Sequence, residues 1–412
     1  MFLCQSAGAA STIKSIRYKG NDVTQSSVMN REIFIKPGDV FDAVKVEQSG
    51  QAIMDLGLFK KVYYYIEENY KNGLSGTDES QIDIVFVVKE KYYFYVLPKL
   101  KVDDTDVYYG AQLTWDNAWG LNHSVRLRYE DRGSTEGIDE SRQTFRYFYP
   151  NVNDSSYNLD FDFQLSNAVD EVEGIVDRQD EIYKVSVLRW LNRYGRSRGW
   201  FVGSGVSYQQ RFNDVISGDS QSESVNATAL GVVGGYRNLN EYEYNRGGKA
   251  FSYVLDWSNE RLGSESEYVR YLFSYRSYYR LDDSPYKNLN VQTQFGHSSN
   301  KILGKYAFSL GSRTDLRGYE NNRFNGNTML LVNMEYMFPH VSRPQIRYVY
   351  FMDIGNTYVH SSDILHQPLN VGAGLGLRWK IRSLVKIDLR ADVGYGFTDS
   401  DYKFSFGSRH AF

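Results

Sequence analysis

From Tyr157 to Leu165 every second side chain is apolar: Tyr157, Leu159, Phe161, Phe163 and Leu165 fall on one side, Asn158, Asp160, Asp162 and Gln164 on the other. Successive side chains of an extended strand point to opposite faces, so this stretch is a strand with one oily and one charged surface. The pattern returns in "EYVRYLFSYRSYYR", where Val269, Tyr271, Phe273, Tyr275 and Tyr279 oppose Arg270, Ser274, Arg276 and Arg280. It returns again in "LVKIDLRADVGYGF", with Val385, Ile387, Leu389, Val393, Tyr395 and Phe397 opposite Lys386, Asp388, Arg390 and Asp392. These segments run about 10–14 residues. Strands of soluble sandwiches average about 5–6, whereas a strand crossing a bilayer at a tilt needs about 10.

An open sheet in hydrocarbon leaves edge N–H and C=O groups unsatisfied at several kcal/mol each, so the strands must close on themselves. Sixteen segments can be marked between residues 92 and 412, beginning with 92–102 and 106–116 and ending with 384–397 and 401–412. An even number suits a single-chain barrel and leaves both of its ends on one side of the membrane. The fold class is therefore mainly β: a 16-stranded antiparallel transmembrane barrel at 91–412, preceded by a small α+β domain at 11–90. Composition agrees, since 16% of the 412 residues are aromatic yet mean hydropathy is −0.51, and no apolar run approaches the roughly 18 residues of a spanning helix. A net charge of −3 gives no basic footprint for nucleic acid.

Residues 1–10, "MFLCQSAGAA", read as the remnant of a secretory signal, and the one cysteine, Cys4, lies inside it. The following domain reads strand, helix, helix, strand, strand, with Thr24 opening the first helix and Val46, Ile53 and Leu56 facing inward from the second. "KKVYYYIEE" and "QIDIVFVVKE" are its last two strands. The six histidines are scattered without metal spacing and no G-x-S-x-G stretch occurs, so neither catalysis nor a cofactor or metal is expected.

The longest connection is 299–326, containing "SRTDLRGYENNRFNGN". In the next strand Leu330, Val332, Met334, Tyr336 and Phe338 point to lipid, which turns Asn333 and Glu335 into the lumen. One strand later Asp353 is turned inward by the same rule. The planar fork of Arg317 can bridge both carboxylates if the loop folds back into the barrel.

The order strand, helix, helix, strand, strand with the "LGLFKKV" junction resembles a POTRA domain. "LRGYENNRFNGN", "VNMEYMFP", "FMDIGNTY", the turn "WDNAWGLNH" and the strand "NVGAGLGLRWK" resemble the BamA/TamA outer-membrane superfamily. That resemblance implies a loop motif of Leu316, Arg317, Gly318 and Tyr319 reaching into the barrel toward Glu335 and Asp353. It implies a bacterial outer-membrane location with the POTRA domain in the periplasm. The partners implied are membrane lipid, unfolded or extended polypeptide clients, and periplasmic chaperones or accessory proteins. The final strand, with Phe404, Phe406 and Phe412, resembles the C-terminal recognition strand of such barrels. Pro98 in the first strand has no N–H for a ladder, and Gly407 in the last packs no side chain, so the seam between them is expected to be the weakest in the ring. Polypeptide translocation or barrel insertion is the function implied, with a passive pore or a membrane anchor as alternatives; room for one POTRA domain weighs against a complete assembly machine.

Overall fold

The computed structural model describes residues 11–69, 81–103, 106–134, 138–170, 175–192, 197–217, 222–242, 244–282, 284, 286–381, 383 and 388–408. The signal-like segment 1–10 and Phe412 lie outside the described residues.

The N-terminal domain consists of β1 (Thr12–Lys19), α1 (Ser26–Asn30), α2 (Ala43–Asp55), β2 (Phe59–Asn69) and β3 (Gln81–Glu90). The sheet order is β1-β3-β2, with β1 parallel and β2 antiparallel to the central strand. Asp42 caps α2 by accepting from the N–H groups of Val44 and Lys45 at 3.0 and 3.3 Å. Val46 and Ile53 then pack with Ile13, Val28, Ile84 and Phe86 in the core, while Leu56 is half-buried against it. Thr24 does not open α1, which begins at Ser26. Its hydroxyl donates to Glu90 and accepts from Asn117 at 2.8 Å, tying the domain to the barrel.

The barrel wall begins with β4 (Phe94–Asp103), β5 (Asp106–Ala118), β6 (His123–Ser134), β7 (Ile138–Tyr149), β8 (Tyr157–Asp170), β9 (Ile175–Trp190), β10 (Gly199–Ser217) and β11 (Glu223–Glu241). It continues through β12 (Arg246–Ser258), β13 (Tyr268–Arg280) and β14 (Asn288–Ser298). A short hairpin, β15 (Phe308–Leu310) with β16 (Phe324–Gly326), lies within the long connection, followed by β17 (Thr328–Pro339), β18 (Ile346–Tyr358), β19 (Asn370–Lys380), β20 (Asp388–Gly396) and β21 (Asp401–Ser408). Sixteen of these form one antiparallel sheet running from β4 to β21, as the alternation predicts. β10 and β11 extend to 19 residues each, past the about 10–14 residues of the segments read from the sequence, because ladder bonding continues after the apolar face ends. Val185, Val202, Val206, Val232 and Tyr253 are exposed on the outer wall, the face that meets lipid.

β4 and β21, the two ends of the sheet, lie side by side. Among the described residues no ladder pairing joins them, so the ring is nearly closed. The N-terminal domain sits at one end of the barrel, here called proximal. The turn "NAWG", with positive φ at Asn117, Trp119 and Gly120, receives Gln25, whose N–H donates to Gly120 O at 2.9 Å. Arg31 pairs with Asp154 in the β7–β8 turn. Asp55 pairs with Arg198 and accepts from the Glu241 N–H at 2.7 Å.

Candidate functional site

The connection from β14 to β17 turns back into the barrel instead of standing out from it. Phe308 and Leu310 of β15 pack with Leu316, Tyr319, Met329 and Leu331, giving the loop an apolar core of its own. The polar sequence of the loop concealed this core, because its apolar residues are few and widely spaced. Leu316 is fully buried, and Arg317 follows it into the lumen at 2% exposure.

Arg317 makes a bidentate contact with Asp353: Nε donates to Oδ2 at 2.6 Å and Nη2 to Oδ1 at 2.7 Å. Its main-chain N–H adds a third bond to Oδ2 at 3.1 Å, and Nη1 donates to Glu335 Oε1 at 2.6 Å. The guanidinium also lies 3.7 Å from the centre of the Phe351 ring. Asn333 donates to Asp353 Oδ1 at 2.7 Å and to Asp315 O in the loop. The alternation of β17 and β18 places these partners: Asn333 stands directly opposite Asp353 across the ladder, with Glu335 two residues along on the same face.

Sequence reasoning missed the rest of the cluster. Arg378 on β19 donates Nη2 to the same Glu335 Oε1 at 2.7 Å and Nη1 to Asp392 Oδ1. Asp392 on β20 also accepts from Arg390 Nε at 2.8 Å. Arg317, Arg378 and Arg390 thus share Glu335, Asp353 and Asp392, three cations with three carboxylates, all at most 2% exposed. A balanced cluster of this kind tolerates burial because each charge has an oppositely charged partner.

Backbone fit is as tight as the ion pairing. Gly318 has φ +94°, and a Cβ there would sit 2.6 Å from the carbonyl carbon of Tyr395. Across from it, a Cβ on Gly372 would come within 1.9 Å of Arg317 O, and one on Gly394 within 2.8 Å of the Gly318 N. A bare track on β19 and β20 therefore receives the main chain of the loop. Tyr319 closes the contact by donating its hydroxyl to Val371 O at 2.6 Å.

At the seam, Pro98 pairs with Ala111 of β5, on the strand whose other edge faces β21. Gly407 pairs with Arg390 of β20, and a Cβ there would lie 2.2 Å from Arg313 Nη1. The glycine makes room for Arg313, which donates to Phe406 O at 3.0 Å. Phe404 and Phe406 are exposed on the outer wall.

Residues 105–409 match the Omp85 superfamily domain, and residues 11–91 match POTRA, the surface antigen variable number repeat. The chain belongs to the Omp85 superfamily. Among curated relatives, the outer membrane protein assembly factor BamA of Nitratidesulfovibrio vulgaris is 20% identical over 393 residues, covering 89% of this chain and 47% of the relative. That of Buchnera aphidicola is 26% identical over 171 residues, covering 39% and 26%. The chain thus spans less than half the length of either. Among solved structures, CdiB from Escherichia coli superposes with a TM-score of 0.67 at 15% identity, covering 97% of this chain and 76% of that one. BamA from Haemophilus ducreyi lacking POTRA domains 1–3 superposes with 0.57 at 16%, covering 98% and 85%. These structural likenesses carry the fold of the barrel.

Proposed function

We propose that this Omp85 chain handles polypeptide at the bacterial outer membrane, translocating it across or inserting it into the bilayer, with the POTRA domain in the periplasm. The observation that carries the reading is the seam: among the described residues the two ends of the sheet adjoin without a ladder, leaving edge groups to which an extended client strand can pair. A second edge supports it, since among the described residues β2 is an outer strand of the POTRA sheet, and it exposes Tyr63 and Ile66. In this reading Arg317 holds the loop in the lumen while the seam works, and Phe404 and Phe406 belong to the strand by which the chain itself is recognised for assembly. Extended clients are the substrates, and periplasmic chaperones or accessory proteins deliver them.

The test is a lock. In a Cys4→Ser background, cysteine pairs scanned along 95–97 of β4 and 404–406 of β21 should trap the seam as a disulfide, and a census of other outer-membrane proteins should then fall as it does on depletion of the chain. A lock that forms efficiently and leaves that census intact would mean a passive pore or an anchor for a partner protein.

A further inference from the structure

A cleft of about 1300 Å³ opens where the N-terminal domain meets the proximal rim of the barrel. One wall is the segment 30–37 between the two helices together with the first turn of α2. The other is formed by the β8 and β9 ends. Four cations line it, Arg31, Lys36, Lys45 and Arg189, against one carboxylate, Asp154, among the described residues. Asp154 is already paired with Arg31, so the lining carries a net charge of +3 (four minus one). Lys45 lies 3.9 Å from Asp42, an exposed pairing too weak to cancel its field.

The position of Arg189 decides what kind of anion the cleft suits. It stands opposite Tyr157 of β8 and Val202 of β10 in the ladders. Cross-strand partners share a face, and both of these are exposed on the outer wall, so Arg189 also faces lipid. Its guanidinium lies 5.4 Å from the centre of the Tyr157 ring, and Trp200 is exposed on the neighbouring strand. An arginine and aromatic rings at the end of an apolar band mark the level of the headgroups. The cleft is therefore continuous with the surface against which acyl chains lie.

We propose that this cleft holds the headgroup of an anionic phospholipid from the proximal leaflet, its phosphate among Lys36, Lys45 and Arg189 and its chains along Tyr157, Val202 and Trp200. A soluble anion would use the charge but not the adjoining apolar wall. Bound there, the lipid bridges the domain and the barrel and ties the docked arrangement to membrane composition.

The experiment uses the full chain in nanodiscs of phosphatidylcholine, with or without phosphatidylglycerol. Hydrogen exchange over 30–37 and the lipid retained after detergent extraction, read by native mass spectrometry, are the measurements. Phosphatidylglycerol should slow exchange there and be retained by the wild-type chain. The Lys36→Gln/Lys45→Gln/Arg189→Gln variant should lose retention by roughly fivefold per cation removed. Arg31 is left in place to keep its pair with Asp154, and heat-dependent migration in SDS verifies the barrel. If the triple variant does not fold, Arg189→Gln and Lys36→Gln alone should each show their share of the loss. Equal retention by variant and wild type overturns the proposal, as does equal protection by inorganic phosphate in phosphatidylcholine discs, which would reduce the cleft to a simple anion site.

Discussion

Replacing Arg317 with alanine should release the lumenal loop while leaving the barrel standing. The change deletes three side-chain bonds, two to Asp353 and one to Glu335. It leaves the cluster with Arg378 and Arg390 against Glu335, Asp353 and Asp392, one negative charge in excess at a site almost closed to solvent. Breaking a buried pair in this way costs about 3–5 kcal/mol. If the loop relaxes by leaving the lumen, its released population rises roughly 150- to 5,000-fold. Trypsin reports this directly, because Arg313 and Arg323 flank the mutated position and remain as cleavage sites. When opening and closing are fast, the cleavage rate follows the open population. Pairing Arg317→Ala with Asp353→Ala restores two charges of each sign, so the double variant should be cleaved more slowly than the arginine variant alone. Arg317→Lys, which keeps the charge but loses the fork, should fall between wild type and alanine. Cleavage of Arg317→Ala at the wild-type rate, or strictly additive behaviour in the double variant, refutes the charge-balance argument.

Gly318→Ala should expose the loop similarly, since its Cβ meets backbone that cannot swing aside; trypsin again provides the reading. Gly407→Leu should displace only the end of the Arg313 side chain, raising cleavage at Arg313 severalfold without altering the heat-dependent migration of the barrel in SDS. The wild-type chain in detergent should itself resist SDS until boiled, because the wall bonds are internal to the sheet. Burial at the domain contact pushes the Asp55 carboxyl up from 3.8 to about 6, against Gln51, the Glu241 N–H and Arg198, which favour its charged form. The docked value is the higher one, so docking takes up a proton: it is strongest below 3.8 and weakens as pH rises through 6, by on the order of 3 kcal/mol in all. Asp55→Asn should abolish that dependence, measured by hydrogen exchange of α2 between acidic and neutral pH.

The strands were legible because a period of two assigns every residue to a face, and the same rule turned Asn333, Glu335 and Asp353 inward. It could not assign heights around the ring. Arg390 and Asp392 were readable as lumen-facing, but only the register shows Arg378 directly opposite Arg390, two like charges held by Asp392 and, for Arg378, by Glu335. The hairpin inside the loop was hidden for a related reason: three-residue strands are too short to show a period. Thr24 was read as a local helix signal because sequence gives no view of Asn117, 93 residues away.

The attachment of the N-terminal domain has a mechanical consequence. Its bonds to Gly120, Asp154, Arg198 and Glu241 all fall in the half of the wall that starts with β4. At the base of the seam, Tyr92 donates its N–H to Ser383 O at 2.8 Å, a stitch from the domain linker to the half that ends with β21. A wide parting of the seam would strain that stitch, and with it broken the domain would travel with the first half as one lever arm. A hinge movement of a few degrees in the wall would be magnified at its far tip, where two labels, one on the domain and one near Ser383, could follow the barrel's opening from outside the membrane.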